Sequence, residues 1–136
     1  MSLAEISVIT GGVISILMAI FHTRFYTLFH WQTDFKQISH RNSKIYYTIH
    51  LALLLLFFGF GAISLFFANE LATCSGLSLG LMVLFSFLWL WRTMWQIFYF
   101  KPLFKGKKPP IMHWVLTIHF GLLFVTYTIP IVIKLI

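Results

Sequence analysis

The chain has 136 residues, of which 60% are hydrophobic and only 10% are charged. A soluble domain carries about 25% charged residues, and a chain this short has too little interior to hide so much apolar surface from water. The composition therefore excludes an ordinary water-soluble fold and predicts a protein whose side chains mostly face the lipid bilayer.

Four apolar runs are long enough to span a bilayer, which takes about 20 residues in a helix. They cover residues 6–25, 45–68, 77–100 and 111–133. No Lys or Arg precedes the first run, so we expect it to be retained as a helix and not cleaved as a signal peptide. The predicted fold is all-α, an up-down bundle of four transmembrane helices in a single domain, 1–136.

The link after the first run carries aromatic and aliphatic residues at roughly helical spacing, separated by charged and amide side chains. Over about residues 26–38 this pattern predicts an amphipathic segment, in which the first helix continues along the inner membrane surface. Trp31 is expected to lie at the level of the lipid headgroups.

Positive charge is distributed unequally among the links between the runs. Segments 24–44 and 101–108 together hold eight Lys and Arg residues, and loop 69–76 holds none. Because cations stay on the cytoplasmic side, we expect both basic links inside and both termini outside. The expected location is a cell membrane, the inner membrane if the source is bacterial. The net charge of +7 serves this orientation, and no nucleic-acid partner is expected.

Arg92 lies inside the third run, nine residues before Lys101, which places it roughly 13 Å from the inner surface. An arginine at this depth costs on the order of 2.5–3.5 kcal/mol. Glu5 and Glu70 are predicted on the outer side, and Asp34 reaches Arg92 only if its link folds inward. The lack of an acidic partner indicates that a ligand supplies the anion.

Two neighbours on the same helical face are expected to assist Arg92. Gln96 follows at the next turn and can share a hydrogen bond, while the ring of Trp89 can stack on the guanidinium group.

Histidines enter the predicted inner half of the bilayer from the other three runs. Their helical faces also carry small and polar residues, and such faces normally contact other helices. We therefore expect the bundle interior to hold five candidate cofactor-binding side chains. These are His22, His50, Arg92, Gln96 and His119. By contrast, His30, His40 and His113 are expected in loops or at the membrane interface.

Several ligands suit this set of residues. Two histidines on different helices can hold haem b, with Arg92 facing a propionate, and a quinone or a lipid head can accept hydrogen bonds from Arg92 and Gln96. The plain alternative is hydrogen bonding between helices, worth about 0.6 kcal/mol for each bond. No carboxylate or Cys joins the histidines and no HExxH motif occurs, so a membrane metalloenzyme is the third choice. No catalytic residue is identified.

Three short groups of residues carry a resemblance to a family. They are Phe21-His22 with Phe25 and Trp31, then Glu70-Leu71 with Thr73, then Leu90-Trp91-Arg92 with Gln96. On these residues the chain resembles a group of small four-helix bacterial membrane proteins without assigned function, over most of its length. The resemblance implies the same four-span architecture and no activity. The positions that it singles out are His22, Glu70, Arg92 and Gln96.

The leading hypothesis is a non-catalytic or redox-accessory binding protein. Its bundle would hold a lipophilic ligand with an anionic or hydrogen-bond-accepting head against Arg92 and Gln96. The alternative is a structural or assembly subunit of a larger membrane complex, in which Arg92 meets an acid on a partner helix; a homo-oligomer is also open. The sequence leaves open whether Arg92 and the histidines share one cavity.

Overall fold

Long apolar runs of the sequence become long helices. In the computed structural model, which describes residues 1–136, the chain forms seven α-helices, one 3-10 helix and no strand. The α-helices are α1 (Leu3–His22), α2 (Phe25–Leu28), α3 (Trp31–Asp34), α4 (His40–Phe66), α5 (Ala68–Ala72), α6 (Leu77–Phe98) and α7 (Ile111–Leu135), and the 3-10 helix covers Lys101–Phe104. Four helices, α1, α4, α6 and α7, are long and apolar enough to cross a membrane.

Each predicted apolar run coincides with one long helix, although some helix ends differ from the predicted limits. Helix α4 begins five residues earlier than predicted because the side chain of Ser39 caps it, accepting a hydrogen bond from the Asn42 N–H at 3.3 Å. Helix α7 begins at Ile111, directly after Pro110, which is extended. Proline suits the start of a helix because the N–H that it lacks would have no partner within the helix there.

The prediction that the first helix continues without a break over residues 26–38 is wrong. Helix α1 ends at His22, and the link then forms two separate short helices, α2 and α3. His30 separates them with a φ of 54°, a left-handed conformation that a continuous helix does not allow. The link thereby folds back beside α4, where the ring of Trp31 lies 4.8 Å from that of His50.

The long helices pack unevenly around α1. Helix α1 contacts α4, α5 and α7, while α6 contacts α5 and α7. Between α4 and α6 the approach is made by large aromatic side chains. The ring centroids of Phe60 and Phe85 are 4.7 Å apart, and those of Phe57 and Trp89 are 5.6 Å apart. Since these rings separate the two backbones, a cleft remains between α4 and α6.

A cluster of three hydroxyl groups, which we call the hydroxyl cluster, joins α1, α4 and α7. The Tyr127 hydroxyl lies 2.8 Å from the Ser64 Oγ and 3.3 Å from the Ser15 Oγ, and all three side chains are fully buried. In an apolar interior each of these polar groups needs a partner, so the three residues satisfy one another.

Glycines let the helices approach closely beside the hydroxyl cluster. A Cβ atom on Gly11 would lie 2.9 Å from the ring of Tyr127. A Cβ atom on Gly61 would lie 2.5 Å from the Cδ1 of Ile16 and 3.0 Å from the carbonyl oxygen of Gly12. Small residues of this kind allow close packing in membrane bundles, where dispersion contacts stabilise the association of helices.

We predict that Gly61→Ala destabilises the protein, because the new methyl group enters space already filled by Ile16 and by backbone. Overpacking of this kind costs about 1–3 kcal/mol. Gly59→Ala is the matched control, since it lies on the same helix and a Cβ there meets nothing within 4 Å. Thermal unfolding in mild detergent, followed by circular dichroism, should give a lower Tm for Gly61→Ala only. Equal Tm values for both variants would contradict this packing.

Candidate functional site

An apolar cleft between α4 and α6 brings several of the predicted residues together. Its volume is about 220 Å³. The lining residues come from four long helices and the link after α1: Met18, His22, Phe25, Leu53, Leu56, Phe57, Phe60, Leu88, Trp89, Trp91, Arg92, Leu116 and Phe120. Leu53, Leu56 and Trp91 are exposed on the outer surface of the helices, so they form the rim of the cleft. The cleft therefore opens sideways, toward the region that lipid occupies around a membrane bundle.

Arg92 is half-buried and faces this cleft without an acidic partner. Its Nη1 atom is buried and makes no hydrogen bond, and the guanidinium carbon lies 4.3 Å from the ring centroid of Phe120. A desolvated cation–π contact contributes about 2 kcal/mol, which offsets part of the 2.5–3.5 kcal/mol that an arginine costs at bilayer depth. Phe120 therefore compensates Arg92 only in part.

The expected stacking of Trp89 on Arg92 is replaced by an aromatic column. Trp89 stacks between Phe57 and Phe120, with ring centroids 5.6 Å and 5.9 Å away. Phe120 rather than Trp89 then meets the guanidinium group. The indole Nε1 of Trp89 is buried without a hydrogen-bond partner, which adds a second unused donor among the residues that line the cleft.

His22 and His50 are brought into direct contact. Their ring centroids lie 4.3 Å apart and the rings are stacked at 23°. Both side chains are almost fully buried, and both nitrogens of His22 and the Nδ1 of His50 lack a hydrogen-bond partner. An unbonded polar group in an apolar interior costs about 1–3 kcal/mol, so these atoms favour a partner that the chain itself does not provide.

Gln96 lies in the interior as expected, but its partner is different. Its Nε2 atom lies 3.1 Å from the Nδ1 of His113, and not within bonding distance of Arg92. The expectation that His113 is exposed in a loop or at the interface is wrong in its exposure, because His113 lies in the first turn of α7 and is only 7% exposed. Gln96 and His113 thus link α6 to α7, while His30 and His40 are exposed as predicted.

His119 does not join the other candidates. It is half-buried on α7, its Nε2 is buried without a partner, and it does not line the cleft. The side of α7 that faces the cleft carries Leu116 and Phe120 instead. Of the five predicted residues, the structure brings His22 and Arg92 to one cleft, places His50 against His22, and leaves Gln96 and His119 outside.

A second cavity, which we call the vestibule, lies beside the cleft. Its volume is about 510 Å³, and segment 25–38 and helix α4 contribute most of its lining. His22, Phe25 and Leu53 line both the vestibule and the cleft, so the two cavities meet at these side chains. Asp34 and His50 line the vestibule and not the cleft. His22 is therefore the one polar side chain common to both cavities.

His22 and His50 do not fit as the two axial ligands of a haem b, and no cluster of side chains fits a metal centre. Axial imidazoles bind haem iron from opposite faces of the macrocycle, but His22 and His50 are stacked at 4.3 Å, which leaves no room for a porphyrin between them. No group of three His, Cys, Asp or Glu side chains lies together in a way that could hold a metal ion. The geometry favours a ligand held by hydrogen bonds and apolar contact.

Two inward-facing residues of α7, Phe120 in the cleft and Tyr127 in the hydroxyl cluster, were not identified from the sequence. They share one face of α7 with His113, Leu116 and Leu123, at alternating spacings of three and four residues. This spacing could have identified the inward face. His119, which was predicted inside, is the neighbour of Phe120 and is only half-buried.

Comparison with known protein families, with curated proteins and with solved structures gives no match.

We predict that the purified protein does not form a bis-histidine haem complex. When haem is titrated into the protein in mild detergent, the visible spectrum should lack the bands of haem with two axial histidines, because the stacked rings of His22 and His50 cannot ligate iron from two sides. A stoichiometric Soret band that is lost in both His22→Phe and His50→Phe would show that the rings separate and that this geometry is not the functional one.

Proposed function

We propose that the protein binds an amphiphile taken from the lipid phase. Its hydrogen-bond-accepting head lies in the cleft against Arg92 and His22, and its tail leaves between α4 and α6. The observation that carries this proposal is the set of buried, unbonded nitrogens of Arg92 and His22 on one apolar cleft. A binding role, and not catalysis, is proposed because no nucleophile or general acid–base pair lines the cleft.

The electrostatics of the cleft favour an acceptor. Arginine and tryptophan side chains carry hydrogen-bond donors and no acceptor, so Arg92 and Trp89 both require acceptors from a ligand. A charge-assisted hydrogen bond contributes about 1.5–3 kcal/mol, which is enough to offset the roughly 0.5–1.5 kcal/mol of the cost of Arg92 that Phe120 leaves uncompensated. An acceptor head is therefore the ligand chemistry that best stabilises this side chain.

The size and rim of the cleft support entry from lipid. Its volume of about 220 Å³ lies below the range of roughly 300–1,000 Å³ that encloses a whole drug-sized ligand. The cleft thus suits a head group and the first part of a tail. The exposed side chains of Leu53, Leu56 and Trp91 offer apolar contact to a tail that continues outward.

For the setting of this site we propose an up-down bundle in a cell membrane, with both basic links in the cytoplasm. The unequal charge of the links supports this orientation. The contacts of α1 with α4 support antiparallel neighbours, since Gly12 approaches Ser64 while His22 stacks on His50. The cleft then lies in the cytoplasmic half of the bilayer. The family resemblance of the sequence is consistent with this architecture and remains a prediction.

The proposed orientation predicts which introduced thiols react from which side. Lys107→Cys should be blocked by a membrane-impermeant maleimide only after cells are opened, whereas Glu70→Cys should be blocked in intact cells. Native Cys74 gives little background, because it is buried and burial raises the pKa of its thiol. The reverse labelling pattern would invert the proposed orientation.

We predict that Arg92→Gln weakens ligand binding by about tenfold to a hundredfold, the loss of one charge-assisted hydrogen bond. Isothermal titration calorimetry in detergent would measure the affinity for three probes: oleate, dioleoyl phosphatidic acid and decylubiquinone. The control is Lys101→Gln, which removes an exposed cation outside the cleft and should leave the affinity of every probe unchanged.

The alternative function is an assembly subunit of a larger membrane complex. Helix α4 supports it, since only His50, Gly61 and Ser64 are buried along its 27 residues. In that case none of the probes binds, crosslinking captures one fixed membrane partner, and Arg92→Gln abolishes the capture. If a probe binds to the isolated protein and Arg92→Gln removes this binding, the result favours ligand binding in the cleft over an assembly role.

A further inference from the structure

We propose that the ligand is a zwitterionic phospholipid with a primary ammonium group, held across both cavities. Its phosphate would lie in the cleft at Arg92 and His22, and its ammonium group would reach Asp34 in the vestibule. This inference rests on the proposed function of the cleft and goes beyond it by naming the class of head group.

The two cavities are neighbours. His22, Phe25 and Leu53 line both of them, so only these three residues are common to the cleft and the vestibule. A head group that spans this junction would pass beside the two unbonded nitrogens of His22. His22 is 6% exposed, so a ligand at the junction would give it the partner that the fold does not.

The cleft side of the junction suits a phosphate. Arg92 and Trp89 each present a buried donor without a partner, and His22 can present another. A phosphodiester offers several acceptor oxygens and one negative charge, which matches a set of donors around one cation. A neutral acceptor such as a quinone would satisfy donors but leave the charge of Arg92 without an anion.

The vestibule side suits a cation. The chain has three acidic residues in all, and Asp34 is the one that lines either cavity. The rings of Trp31, Phe35 and Tyr46 line the same space, and aromatic faces attract an ammonium group. The cations of segment 24–44 do not line the vestibule. Asp34 therefore supplies the only full charge on its wall.

The test compares two phospholipids that differ in the amine alone. Dioleoyl phosphatidylethanolamine and dioleoyl phosphatidylethanol carry the same chains, the same phosphodiester and the same two head-group carbons, and only the first has an ammonium group. Titrated into the full-length protein in detergent, phosphatidylethanolamine should bind about fivefold more tightly, as expected for a partly exposed ion pair with an aromatic contribution.

Two variants assign the difference to its source. Asp34→Asn should remove the preference and give both lipids the affinity of phosphatidylethanol. Asp34 is exposed, so this substitution leaves the packed interior unchanged. Lys36→Gln, two residues away and outside the vestibule, is the matched control and should keep the preference. Arg92→Gln should weaken both lipids equally.

The outcomes separate this inference from the proposed function. If both lipids bind equally to the wild-type protein while Arg92→Gln weakens both, the ammonium site is overturned and the cleft stands. If decylubiquinone binds and neither phospholipid does, the phospholipid class is overturned as well. If no lipid or quinone probe binds, the proposed function itself falls.

Discussion

The bundle is tight on one side of α4 and open on the other, and the site depends on this contrast. Next to the hydroxyl cluster, Gly61 of α4 lies against Ile16 and the backbone of Gly12 on α1. Toward α6, the rings of Phe57 and Trp89 hold α4 away. Small residues allow two helices to approach closely, and large rings keep them apart. The cleft is the space that the rings leave between α4 and α6.

In this cleft the charge of Arg92 is stabilised by an aromatic ring and not by a carboxylate. A buried acid beside Arg92 would have formed an ion pair with it, and a paired guanidinium group would not need an anion from a ligand. Phe120 supplies attraction without neutralisation, so the guanidinium group remains available. His22, which lines both the cleft and the vestibule, likewise has ring nitrogens without hydrogen-bond partners. The feature of this cleft that favours a ligand is its set of hydrogen-bonding nitrogens without partners, more than its volume.

The sequence allowed the helices to be predicted because their apolar length is a property of each segment alone. It also indicated that Arg92 has no acidic partner, and it placed His22 of α1 and His50 of α4 in the interior. The face of α7 was missed, because His119 and Phe120 are neighbours and hydropathy does not tell which of them turns inward. Gln96 was paired with the wrong residue, since its partner His113 is brought near only by the packing of α6 on α7. The turn at His30 was missed because nothing in the local pattern requires a left-handed residue there.

The burial of α4 has a consequence for how the fold is divided. Its buried residues are His50, Gly61 and Ser64. They lie against α1, from the stacked ring of His22 to the backbone of Gly12, whereas α4 approaches α6 through aromatic rings. On its other side, α6 packs against α7. The four long helices thus form two closely packed pairs, α1 with α4 and α6 with α7, and the cleft is an opening in the seam between the pairs.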